Sequence, residues 1–309
     1  MTQHKFILIE KKIVCIGGSA LFSIYSSIGS GSDMECILEK DGTLTPKIRE
    51  LMQSKTSLFI EEKDKEAYQD YYDEHMAGSS KNKHDIASAK IYVKATNVID
   101  ELYKNPETLG GYEKSKEVVS DLVSTILHDE FTIRSLMRIA THDYYTHTHS
   151  LNVSVYALSL GAFLKMPKED LSALGEAGLL HDLGKSKISV EVINKNGALT
   201  DDEFSKMKKH PELGFHLAKQ MGITNKRILY GIRHHHEKMD GSGYPSGLQG
   251  ESIPLFARII GLCDIFDALT SKRSYKEAMS TFDALRLIKT DMHNHVDLKL
   301  LNEMIKMFK

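Results

Sequence analysis

The stretch His235-His236-Glu237-Lys238-Met239-Asp240-Gly241-Ser242-Gly243-Tyr244-Pro245 sets two adjacent imidazoles at the end of an apolar helix and closes on a glycine-rich turn. Upstream of it, Gly178-Leu179-Leu180-His181-Asp182-Leu183-Gly184-Lys185 places a histidine and an aspartate side by side. Neutral imidazoles and carboxylates are what first-row divalent metals bind where sulfur is absent. The two stretches together imply a polynuclear metal centre, and such centres are suited to hydrolysing phosphate esters.

The segments around them read as helices. Ile228, Leu229 and Ile232 share one helical face that continues to His235 and His236 and leaves His234 off it. Thr200-Asp201-Asp202-Glu203 is a capping box for a helix running to His210, where Pro211 should break or restart it. Val118, Val119, Leu122, Val123, Ile126 and Leu127 recur at helical spacing, as do Leu151, Val155, Leu158 and Phe163. Leu255 to Phe266 is apolar almost all round, which predicts a buried helix, yet it contains Asp264. A buried carboxylate costs several kcal/mol unless it is paired, hydrogen-bonded or bound to metal. His149, His181, Asp182, His210, His235, His236 and Asp264 therefore stand out, each on or at the end of a core helix. His142, His147, His216 and His234 read as ordinary core or surface histidines.

Residues 1–80 read differently. Strands are expected at Lys5–Ile9, Lys12–Ile16, Met34–Leu38 and Ser57–Ile60, with turns at Gly17-Gly18 and Asp41-Gly42. A short helix should start near Thr45 with Pro46 at its first position, and a charged helix should run from Glu61 to His75. Gly78 to Lys83 is the expected linker. The fold expectation is thus mainly α: an all-helical domain over 85–309, preceded by a small α/β module over 1–80 with a regulatory or interaction role.

Composition excludes several classes. The 309 residues carry 40 Lys and Arg against 42 Asp and Glu, so nothing global attracts nucleic acid polymers. Three cysteines, far apart and odd in number, point to a reducing, cytoplasmic compartment without disulfides. The apolar run around Ile13 to Tyr25 is interrupted by Gly17, Gly18 and serines, and no membrane span or secretory leader is expected.

Residues from about 115 to 290 resemble the HD-GYP family, the branch of metal-dependent HD-superfamily phosphohydrolases that cleaves cyclic di-GMP in bacterial signal transduction. The likeness rests on Asp143 to Val153, Gly178 to Lys185, His210-Pro211-Glu212-Leu213-Gly214, His235 to Pro245, Arg258 to Ser271, and Arg273-Ser274-Tyr275. The resemblance implies that the seven residues above are metal ligands, with Asp182 bridging two transition-metal ions, iron or manganese. It implies that a water shared by the ions is acidified into the nucleophile that opens cyclic di-GMP to the linear dinucleotide. Asp182 and Lys185 would be catalytic; Lys185, Arg273 and Lys276 would grip the phosphates, and the Gly241-to-Pro245 loop would line the substrate pocket, with Tyr244 supporting or gating it. Asp267 would orient a histidine or cap the following segment. A protein partner is expected through the N-terminal module.

The chain departs from the family pattern at three points. Tyr145 stands where three-metal members carry glutamate, so two ions are expected. Ile188-Ser189 replaces Ile-Pro, and Arg273-Ser274-Tyr275 replaces Arg-Pro-Tyr, which loosens backbone that proline would fix. These departures leave two alternatives: a weakly active or inactive cyclic-dinucleotide sensor, or a hydrolase of another cyclic dinucleotide.

Overall fold

A computed structural model describes residues 6–9, 21–27, 34–43, 45–55, 57–68, 71, 83–106, 109–128, 136–137, 146–193, 195, 197–271 and 278–308. It divides into two compact units, Met1–Val93 and Lys94–Lys309.

The first unit is built on four antiparallel strands, β1 (Phe6–Ile9), β2 (Ile24–Ser27), β3 (Met34–Leu38) and β4 (Leu58–Glu61), in the order β1-β4-β2-β3. Helix α1 (Pro46–Ser54) begins where the sequence places it: Thr45 accepts the Ile48 amide and Pro46 occupies the first turn, where no N–H is needed. Phe22, Ile24, Met52, Leu58 and Ile60 are fully buried. The expected strand over Lys12–Ile16, and most of the linker from Gly78, lie outside the described residues. Strand β2 is not among the strands that the sequence pattern predicts; four residues ending on two serines give too short an alternation to stand out from the apolar run before them. Of the expected helix from Glu61, residues 62–64 form a 3-10 turn and residues 65–68 are helical.

Helix dominates the remainder. Helix α2 (Lys83–Lys104) is followed by α3 (Leu109–His128), α4 (Thr146–Phe163), α5 (Lys168–Leu180), a 3-10 turn over Leu183–Lys187, and the short α6 (Val190–Ile193). Then come α7 (Asp201–Met207), α8 (His210–Gln220), α9 (Lys226–His234), α10 (Leu255–Thr270), α11 (Thr281–Asp291) and α12 (Leu298–Met307). Helix α4 is buried from His149 through Gly161, on every face, and runs through the core. It packs on α5 and α10, while α9 packs on α5, α8 and α10. The last residue of the α4 repeat, Phe163, ends up 42% exposed, and Leu127 at the end of α3 is 46% exposed, because both helices end at the surface there.

Local signals set the boundaries. The capping box is complete: Thr200 Oγ1 accepts the Glu203 amide and the Glu203 carboxylate accepts the Thr200 amide. Helix α7 stops at Met207, before His210, and α8 restarts there with Pro211 in its first turn. Among the described residues no helix is long and apolar enough to cross a membrane.

Candidate metal centre

The seven residues that the sequence singles out converge from five helices. His149 lies in the first turn of α4, His181 caps the C-terminus of α5, and Asp182 follows it. His210 opens α8, His235 caps the C-terminus of α9 with His236 next, and Asp264 lies within α10. Their donor atoms fall into two groups, Asp182 with His210, His235 and His236, and His149 with His181 and Asp264, each group's atoms within 4.8 Å of one another.

Asp182 joins the groups. Its Oδ1 lies 3.3 Å from His210 Nε2 and 3.9 Å from His235 Nε2. Its Oδ2 lies 3.4 Å from His181 Nε2 and 3.6 Å from His149 Nε2. One carboxylate thus presents a different oxygen to each set of imidazoles, the geometry a bridging ligand requires. Asp182 Oδ1 and His181 Nε2 are buried without a hydrogen-bond partner. Buried polar atoms are rarely left this way, and cations between these donors would satisfy them. The donor set is nitrogen and oxygen throughout, which suits first-row transition metals.

Three of the histidines are oriented by their own helical turn. Nδ1 of His181, His210 and His235 donates to the carbonyl three residues earlier, at Gly178, Met207 and Ile232, over 2.7, 2.8 and 2.7 Å. That bond fixes the tautomer and leaves the Nε2 lone pair facing the centre. His149 is oriented at long range instead. Its Nδ1 donates to Asp267 Oδ2 at 2.6 Å, and its Nε2 lies 3.1 Å from Asp264 Oδ1. Asp267 is fully buried and also accepts from Asn152 Nδ2 and Ser271 Oγ, both at 3.0 Å. Of the two expected roles of Asp267, the orienting carboxylate is present in the bond to His149, while the segment it would cap lies outside the described residues. Asn152 is a residue that the sequence reading misses; a polar side chain on an apolar helix is its signal.

Electrostatics sort the ligands by protonation. Burial holds His181 below its ordinary pKa, His210 at about 3, His235 well below the ordinary value and His236 at about 4, all neutral imidazoles able to ligate. Burial works against charge on His149 too, but hydrogen bonds to Asp264 and Asp267 outweigh it and raise this group to about 10. Burial raises Asp182 and Asp264, yet each stays well below the carboxylate range. Lys185 and the surrounding imidazoles hold Asp182 down, and the His149 hydrogen bond does the same for Asp264.

Close backbone packing makes the convergence possible. A Cβ on Gly184 would sit 2.0 Å from the His210 carbonyl oxygen and 2.5 Å from the Gly214 nitrogen. Only glycine lets the 3-10 turn after Asp182 lie against the start of α8. Ser189 replaces the family's proline, yet Ile188 keeps φ −94° and ψ 145°, the extended region that a following proline would impose.

Of the expected substrate contacts, Lys185 lies at the centre, its Nζ 2.5 Å from Asp182 Oδ2. The Tyr244 ring stacks on His236, with centroids 4.8 Å apart and an interplanar angle of 30°. Arg273 and Lys276 lie outside the described residues, as do Tyr145, Ser274 and His142. His216 is exposed, and His234 is buried beside the Glu237 carboxylate.

The HD domain family model matches residues 119–300. A cyclic di-GMP phosphodiesterase of Pseudomonas aeruginosa is 34% identical over 192 residues, 62% of this chain and 46% of that protein. The cyclic di-GMP phosphodiesterase response regulator RpfG of Xanthomonas campestris is 48% identical over 124 residues, 39% of this chain and 32% of that one. A 3'3'-cGAMP-specific phosphodiesterase of Vibrio cholerae is 30% identical over 214 residues, 66% of this chain and 46% of its own length. This chain thus spans less than half the length of these relatives. An HDG"Y"P protein from Bdellovibrio bacteriovorus shares the fold, with a TM-score of 0.73 at 17% identity over 98% of this chain and 99% of that one.

Proposed function

This chain belongs to the HD domain family, and from that premise we propose that it hydrolyses cyclic di-GMP to the linear dinucleotide at a dimetal centre. The observation that carries the reading is Asp182, whose two oxygens face two separate groups of imidazoles. His210, His235 and His236 would hold one ion, His149, His181 and Asp264 the other, and Asp182 both. When bound, such a pair of ions, iron or manganese, supplies Lewis acidity to water and to the phosphate.

The chain's own residues do the rest. His181, His210 and His235 arrive neutral and pre-oriented by their Nδ1 bonds, so these three need little reorganisation on loading. Asp267 holds His149 in register. Lys185 sits against Asp182 Oδ2 and would meet charge developing on phosphorus. Arg273 and Lys276 would grip the flanking phosphates with charge-assisted hydrogen bonds. The same reading includes a cytoplasmic signalling role, in which the N-terminal unit would engage a protein partner.

A second reading, hydrolysis of another cyclic dinucleotide, is favoured by one observation: some relatives at about the same identity are named 3'3'-cGAMP-specific. Incubating the purified protein, loaded with iron or manganese, with cyclic di-GMP and with 3'3'-cGAMP, and resolving products by chromatography, tests both. Linear dinucleotide from cyclic di-GMP is expected. Turnover of 3'3'-cGAMP alone would transfer the proposal to that substrate, and turnover of neither would leave the sensor.

A further inference from the structure

We propose that Glu237 is a positioning residue that locks the Tyr244 loop over the metal centre. Its carboxylate is fully buried, although the residue follows two ligands on a chain turning toward the surface. Oε1 accepts the Ser246 amide at 2.7 Å and Oε2 accepts the Leu248 amide at 3.0 Å. Oε1 also lies 3.5 Å from His234 Nδ1. A buried carboxylate is expensive, and one that spends both oxygens on two backbone amides of a single loop holds that loop in one place.

The chain is wound tightly around this residue. The Tyr244 amide donates to the His236 carbonyl at 3.2 Å. A Cβ on Gly243 would sit 2.4 Å from Glu237 Cα, so only glycine lets the returning chain lie on the Glu237 backbone. The outcome is the Tyr244 ring stacked on His236 and 6.5 Å, centroid to centroid, from His210. Glu237 reaches no donor group of the centre itself. It acts through Tyr244, deciding which face of the His236 imidazole is covered and which is left open to an incoming nucleotide.

The chain has no tryptophan, so Tyr244→Trp places a single indole on His236, which can be excited selectively over the tyrosines. With Glu237 intact the indole should be shielded from acrylamide. Adding Glu237→Gln should make it accessible, because an amide accepts one of the two N–H groups and turns its own NH₂ toward the other. Metal content should be the same in both proteins. Unchanged shielding would overturn the proposal, whether or not the melting temperature falls.

Kinetics give a second arm, which rests on the proposed phosphodiesterase reading. Glu237→Gln should lower kcat/KM for cyclic di-GMP about 10-fold or more, the scale of a small misplacement. In a Tyr244→Ala background the same change should cost less than about 2-fold, since residues that act through one another are not additive. Equal losses in both backgrounds would mean general destabilisation and would also overturn the proposal. Absence of turnover in the parent protein would refute the phosphodiesterase reading alone and leave the fluorescence arm to decide. Should Glu237→Gln fail to fold, Glu237→Asp keeps the charge one methylene short of the loop and should expose the indole partially; full shielding would again overturn the idea.

Discussion

The two halves of the centre are held by different means. In the half formed by His210, His235 and His236, two imidazoles are oriented by carbonyls three residues back on their own helices, and all three are kept neutral by burial. In the other half, His181 has the same local support. His149, however, is held by Asp267 from 118 residues away and lies between two carboxylates that raise it to about 10. The local bonds of the first half form with its helices. The second half exists only once α4 and α10 have packed together, because the bond that orients His149 comes from α10.

The largest expected effect is the loss of both halves at once. Asp182→Ala removes the one carboxylate they share, so metal content should fall toward zero and cyclic di-GMP hydrolysis to background. The helical circular-dichroism signal should persist, since the helices pack through apolar faces. A variant that keeps its full metal load and activity would break the comparison, because the halves would then be independent.

Lys185→Ala comes next. It removes the cation lying on the Asp182 oxygen that faces His149 and His181. Turnover should fall by about 10²-fold, comparable with losing one preorganised donor to developing charge, while nucleotide affinity falls much less. A sensor would give the reverse split, background turnover in the parent and an effect confined to affinity.

Asp267→Asn sharpens the contrast directly. The change should weaken metal binding roughly 10–100-fold, as losses of orienting partners do, and only in the His149 half. Manganese titration followed by calorimetry should resolve one tight and one weakened site. Equal weakening of both sites would show that orientation is shared across the centre.

Thr200→Ala should be the smallest and should spare both halves. Loss of the α7 cap costs about 1 kcal/mol and should lower the melting temperature without changing metal content. The same box is acid-sensitive. Lys195 and the Thr200 amide hold Glu203 at about 2, below its ordinary value. The stability it contributes is therefore complete above about pH 4.5 and lost as pH falls through about 2. If the parent and Thr200→Ala proteins differ in metal content at neutral pH, this peripheral helix is coupled to the centre after all.

Features that depend only on chain neighbours could be read from the residues. Thr45-Pro46, the Thr200–Glu203 box and Pro211 set helix boundaries because caps and proline act within one turn. All seven candidate ligands were legible, because a polar side chain in an apolar helical register is costly to bury unless something binds it. Strand β2 was not legible, since Ile24-Tyr25-Ser26-Ser27 continues an apolar run and ends on two serines, and Glu237 does not stand out among its charged neighbours. Tertiary structure alone decided which ligands group together, that the oxygens of Asp182 face opposite ways, that Asp267 reaches back to α4, and that Glu237 turns inward to two amides. Those facts depend on how α4, α5, α8, α9 and α10 are packed and on the direction of side chains more than a hundred residues apart. No local rule carries that information, and the close approaches at Gly184 and Gly243 are what make it physically available.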